Sequence, residues 1–252
     1  MKVFVACHDA GGAEMIAAWI KQERAEWTAI LDGPAEEVFQ RKFGEVPTVQ
    51  SIGKVDLVLC GSSVKSAWEF VTWNIAQLDG HRTAVYLDHW KNYAPRLSSP
   101  DGISLPDEVW VTDRFAAGLA RRELPGANVV IKGNPYADEV AAAVKALERS
   151  LGPVENILYL AEPHRTLPTI SILYRLSPRP YVYRIRPHPS ESPAVRSLAA
   201  DLAWADTVVG YDSMALAIAL RTRRRVVSLL PAGEELHIPW TGIERFYGGS
   251  HL

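Results

Sequence analysis

Short apolar runs, each halted by a polar turn and followed by a helical pattern, recur along this chain. Lys2–Cys7, Trp27–Leu31, Asp56–Cys60, Arg82–Leu87, Glu108–Thr112 and Asn128–Lys132 are such runs in the first part. Asn156–Ala161, Tyr181–Ile185, Thr207–Val209 and Val226–Leu230 continue the series. They lack the alternation of a half-exposed strand, as strands buried on both faces should. Helical segments such as Ala13–Glu23, Val64–Leu78, Asp138–Leu151 and Pro193–Trp204 separate them. Strands that alternate with helices imply parallel sheets covered on both faces. The expected class is α/β, with Rossmann-like parallel sheets.

A chain of 252 residues, 48% of them hydrophobic, can bury one large core or two smaller ones. The turn Gly133-Asn134-Pro135, the helix after it and Gly152-Pro153 make the best boundary. Two Rossmann-like domains are expected, 1–140 and 151–252, the second short, with a cleft between them. Lys91–Pro106 reads as a long irregular loop, Thr48–Val49 as a short strand, and the tail from Pro231 shows no clear period.

A net charge of −2 argues against bulk nucleic-acid binding. Residues 151–252 hold eleven Arg and no Lys. The guanidinium fork matches phosphate geometry, so this bias is compatible with a phosphorylated ligand. Cys7 and Cys60 form neither a disulfide framework nor a metal spacing, and read as buried thiols in a reducing compartment. No secretory pattern and no run of about 20 apolar residues is present. A soluble cytoplasmic protein without a dedicated metal site is expected, its oligomeric state left open.

In open parallel sheets, ligands bind outside the carboxyl ends of the strands. The residues at those ends are therefore the candidates. After the first strand come His8, Asp9, Gly11 and Gly12. Glycines admit a ligand to the backbone, and Asp9 either acts as a general base or caps the helix. Gly61-Ser62-Ser63 follows a later strand and suits a substrate oxygen or a helix cap. Asp88 and His89 stand where a hydroxyl could be deprotonated, with Trp90 and Tyr93 read as stacking on a sugar or base.

The second half offers three such turns. Glu162 would face a ribose hydroxyl and Arg165 a phosphate. Arg186-Pro187-His188-Pro189 is the strongest local signal, because two prolines fix the direction of His188. Gly210, Asp212 and Ser213 open the next helix, where backbone amides favour an anion.

These residues together resemble the GT-B glycosyltransferase superfamily. Val130-Ile131-Lys132-Gly133-Asn134-Pro135 looks like the segment that ends the N-terminal domain in lipid A disaccharide synthase and MurG-type transferases. His188-Pro189 is similar to the His-Pro motif of bacterial sialyltransferases, polysialyltransferases and CDP-glycerol glycerophosphotransferases. Asp212-Ser213 stands where those families carry a Ser-Ser pair, with Asp212 in place of the first serine.

The resemblance implies that His188 and Ser213 grip a donor phosphate, and that an acid of the first domain serves as base. The expected activity is transfer of a sugar or polyol phosphate from a nucleotide-linked donor to a glycan or lipid-linked acceptor, in surface-glycan biosynthesis. The nucleotide diphosphate is then a substrate rather than a tightly bound cofactor. Asp9, Asp88, His89 and His188 are the expected catalytic residues. Gly11, Gly12, Glu162, Arg165, Arg186, Gly210, Asp212 and Ser213 are the expected binding residues. Two alternatives stand beside this: a nucleotide-sugar 2-epimerase or hydrolase on the same fold, and a non-catalytic nucleotide-binding or partner subunit.

Overall fold

Five of the six residues of the first apolar run, β1 (Lys2–Cys7), are buried, as a strand covered on both faces requires. The structure, a computed structural model, describes residues 1–64, 66–99, 102–147, 152–163, 170–177, 180–189, 191–192, 194–230 and 233–246. It divides into two units, Met1–Tyr136 and Ala137–Leu252.

In the first unit β1 is followed by α1 (Ala10–Glu23), β2 (Glu26–Leu31), α2 (Pro34–Phe43), β3 (Leu57–Cys60) and α3 (Trp68–Leu78). Then come β4 (Thr83–Tyr86), α4 (Tyr93–Arg96), β5 (Ser98–Ser99), β6 (Gly102–Ile103), β7 (Glu108–Val111), α5 (Arg114–Glu123) and β8 (Val129–Ile131). The main sheet is ordered β2-β1-β3-β4-β7-β8, and every pairing in it is parallel. Its core is aromatic in part. Trp19 and Trp110 meet at 4.9 Å between ring centroids, and Trp27 packs on Phe39 at 5.3 Å and Phe43 at 4.7 Å. Such tilted pairs add to the burial of large apolar rings.

The second unit takes most of α6 (Pro135–Ala146), then β9 (Glu155–Leu160), α7 (Ile170–Leu176), β10 (Tyr181–Arg186) and α8 (Leu198–Trp204). It ends with β11 (Thr207–Gly210), α9 (Met214–Arg221), β12 (Arg225–Ser228) and β13 (Ile243–Arg245). Its sheet is ordered β10-β9-β11-β12-β13 and is again parallel throughout. Both units are thus Rossmann-like, as the alternation of strands and helices predicts. Among the described residues, no helix is long and apolar enough to cross a membrane.

Several local features differ from the expectation. The helix expected from Val64 begins at Trp68. Ser63 Oγ accepts the N–H of Ser66 at 3.2 Å and Ser66 Oγ that of Trp68 at 3.4 Å, so hydroxyls hold the backbone in turns first. The expected long loop contains α4 and a small antiparallel hairpin of β5 with β6. Thr48 makes one isolated bridge to Ala29 rather than a strand. The tail without a clear period supplies β13, which Arg225 fastens through Glu244 at 2.8 and 2.9 Å. Apart from these differences, the division between the units falls inside α6, the helix within the boundary stretch read from the sequence, and Arg221 of α9 bonds Asp138 of that helix at 2.6 Å.

Candidate functional site

In each sheet the chain leaves the first strand to one side and returns on the other. The carboxyl ends of β1 and β3, and of β9 and β11, are therefore the points where connections diverge and a crevice opens.

At the first of these points, Asp9 occupies the N-cap of α1 but makes no side-chain cap bond. Its Oδ1 instead meets His8 Nδ1 at 2.8 Å and accepts from Ser63 Oγ at 3.0 Å. The other ring nitrogen of His8 lies 3.8 Å from Asp32 Oδ2. The turn after β1 and the turn after β3 are thus joined through one carboxylate oxygen. The two turns pack closely: an added Cβ at Gly12 would already be in van der Waals contact with the Cα of Gly61, at 3.4 Å. A Cβ at Gly11 would collide with the carboxylate of Asp88, which brings the β4 end to the same place.

Beneath them lies Glu69, a carboxyl group in the first turn of α3 that is 1% exposed. Its Oε1 accepts the backbone N–H of His8 at 2.9 Å and its Oε2 that of Ser63 at 2.7 Å. Burial, reinforced by the charge of Asp9 and opposed by the two N–H bonds, pushes its pKa up to about 7. Burial also raises the Cys7 and Cys60 thiols well above their usual range, with Glu69 adding to both. They are inert structural thiols, not nucleophiles.

Asp88 is held by Arg96 at 2.9 Å, and the same guanidinium nitrogen donates to the backbone and hydroxyl oxygens of Ser62 at 2.8 and 3.1 Å. His89 is placed differently from the expectation. It is buried, and its Nδ1 accepts the N–H of Trp90 at 2.9 Å. Tyr93 donates its hydroxyl to the His89 carbonyl. Trp90 and Tyr93 are buried too, the indole N–H of Trp90 bonding Asp113 at 2.9 Å. These rings pack the loop against the unit instead of stacking on a ligand. The site that results is rich in carboxylates (Asp9, Asp32, Asp88, Glu69), which accept protons and suit hydroxyl groups.

At the second divergence, Glu162, Asp212 and Ser213 come together. The N–H of Asp212 donates to Glu162 Oε1 at 2.9 Å. Ser213 caps α9 by accepting the N–H of Ala215 at 3.3 Å. Gly210 is a packing position: an added Cβ would stand 3.2 Å from Leu160 Cβ and 3.4 Å from a methyl of Leu216. Arg186 turns to α8, where it bonds Asp201 at 2.7 Å and the Arg196 carbonyl at 2.8 Å. Asp201 is buried and needs a cation, so the guanidinium serves it rather than a phosphate. His188 is half-buried in the turn after the edge strand β10, its carbonyl accepting from Glu191 at 2.9 Å and Ser192 at 3.2 Å. Arg165 lies outside the described residues.

Glu69, Arg96 and His237, whose Nδ1 lies 2.8 Å from Asp212 Oδ2, belong to these sites and carry no signal of their own in the sequence. Among the described residues no three His, Cys, Asp or Glu are grouped to hold a metal ion. No protein-family model matches the chain, and no curated protein matches it.

Proposed function

We propose that this chain transfers a sugar or polyol phosphate from a nucleotide-linked donor to a hydroxyl of a glycan or lipid-linked acceptor. One observation carries the reading: Asp9 stands at a helix N-cap and does not cap. Its Oδ1 is held by His8 and Ser63, while Oδ2 has no partner among the described residues and the side chain is 36% exposed. A carboxylate fixed through one oxygen and open through the other is arranged to take the proton of an attacking hydroxyl. Asp88, steadied by Arg96, supplies a second acceptor for the same substrate group.

The donor is assigned to the second unit, its diphosphate to His188 and Arg165 and its hydroxyls to Glu162, Asp212 and Ser213. Arg186 and Gly210 are no longer part of that assignment, since Asp201 and the packing of Leu160 account for them. His89 likewise leaves the base to Asp9.

The test is a thermal-shift screen against UDP, CDP, CMP and GDP and their sugar or glycerol conjugates. A ligand at about 100 times its Kd stabilises by about 2.7 kcal/mol. One nucleotide class should raise the melting temperature, its conjugate at least as much. No shift with any member would contradict a nucleotide-linked donor.

A further inference from the structure

Three segments far apart in sequence meet at Asp212, at the carboxyl ends of β9 and β11: its carboxylate holds His237 and its backbone N–H holds Glu162. Asp212 Oδ1 receives the backbone N–H of His237 at 3.2 Å, and Oδ2 lies 2.8 Å from Nδ1 of the same residue. The N–H of Asp212 itself donates to Glu162 Oε1 at 2.9 Å. A carboxylate only accepts, so the ring nitrogen facing it carries the proton. Neutral His237 is thereby the Nδ1–H tautomer, with its lone pair on Nε2. That nitrogen has no partner among the described residues. The His237 side chain is 46% exposed, against 9% for Asp212. A buried acid that grips both the main chain and the ring of a half-exposed histidine fixes the direction in which its free nitrogen points.

We propose that His237 exchanges a proton with a hydroxyl group of a sugar or polyol ligand at the ends of β9 and β11, and that Asp212 positions it. The proton of the ligand O–H passes to Nε2 and the oxygen keeps the electron pair. The imidazolium so formed is balanced by Asp212, and the reverse step returns the proton. The place is the one where the β9 and β11 connections diverge, the usual ligand crevice of such sheets. The ligand class follows from the neighbours. Among the described residues, Glu162 and Asp212 stand here as carboxylates, which accept from hydroxyls, while Arg186 is bonded to Asp201. The inference does not depend on a nucleotide donor, since a sugar hydroxyl has the same chemistry whether the sugar is free or nucleotide-linked.

The experiment is nitrogen-15 NMR of the histidine rings in the full chain, with glucose, glycerol and inorganic phosphate as probes. His237→Gln identifies the resonance, and circular dichroism confirms that each variant is folded. Neutral His237 should be the Nδ1–H tautomer, and glucose or glycerol should shift its Nε2 signal while phosphate does not. In Asp212→Asn the tautomer preference should be lost and the polyol response should fall several-fold. Should Asp212→Asn fail to fold, the wild-type tautomer and its polyol response decide alone. An Nε2–H tautomer in the wild type, no response to either polyol, a response to phosphate only, or an undiminished response in a folded Asp212→Asn would each overturn the proposal.

Discussion

Glu69 accepts the backbone N–H of His8 at 2.9 Å, tying the turn after β1 to helix α3 across 61 positions of sequence. Its second oxygen holds Ser63, so one buried carboxyl group fixes both turns that present Asp9. Few residues of this chain link the fold and the candidate chemistry so directly.

A pH dependence follows. Burial raises the Glu69 pKa from 4.5 in a free side chain to about 7 in the fold. The unfolded chain therefore loses this proton first as pH rises. The stability that the protonated group allows is fully present below pH 4.5 and is lost as pH climbs through about 7. The loss is on the order of 3 kcal/mol if this group acts alone. Urea denaturation of Glu69→Gln between pH 4.5 and 8 should show this slope flattened, together with a cost of about 1–3 kcal/mol for the weakened N–H bonds. An unchanged slope would place the titration elsewhere.

Gly61 touches the same group. A Cβ there would overlap Glu69 Oε1 and come within 2.7 Å of Cys7 Sγ, both buried. Gly61→Ala should cost about 1–3 kcal/mol in denaturant melts. Gly12→Ala, whose Cβ would find only contacts of 3.4 Å or more, should cost less.

Two aspartates at helix N-caps should behave differently. Asp113 accepts from Phe115 at 2.8 Å and Ala116 at 2.9 Å, and also holds the Trp90 indole. Asp113→Ala should cost about 2 kcal/mol. Asp9 makes no cap bond, so Asp9→Asn should shift the unfolding midpoint little. Equal losses in the two variants would mean that Asp9 is a structural cap after all.

How much of this was legible in the sequence depended on the kind of residue. Strands buried on both faces are written as unbroken apolar runs, so β1, β3, β9 and β11 were readable, and with them the turns bearing Asp9, Ser63, Glu162 and Asp212. Glu69 was not, because a single acid in the helical stretch Trp68–Leu78 reads as a solvent-facing residue until its neighbours in space are known. Arg96 and His237 lie in stretches without a period, where only tertiary contacts give a side chain its partner. Trp90 and Tyr93 look alike whether they stack on a sugar or fill a core; both are buried, Tyr93 as the first residue of α4 and Trp90 through its bond to Asp113.

Arg186 separates a phosphate ligand from a structural partner. Truncation to Ala would leave Asp201 buried without its cation and should cost about 2 kcal/mol in urea. Nucleotide affinity of the folded variant should stay within a few-fold of wild type. A large loss of affinity with stability unchanged would return Arg186 to the donor.

The most direct measurement is product analysis by mass spectrometry with nucleotide-sugar and CDP-glycerol donors and hydroxyl acceptors, comparing wild type with Asp9→Asn. The wild type should yield a transferred product that needs the acceptor. Asp9→Asn should turn over about 100-fold or more slowly with an unchanged melting temperature, the size of effect expected for loss of a general base. Equal rates in the two proteins, or no product from the wild type with any donor, would contradict Asp9 as the base of a transferase.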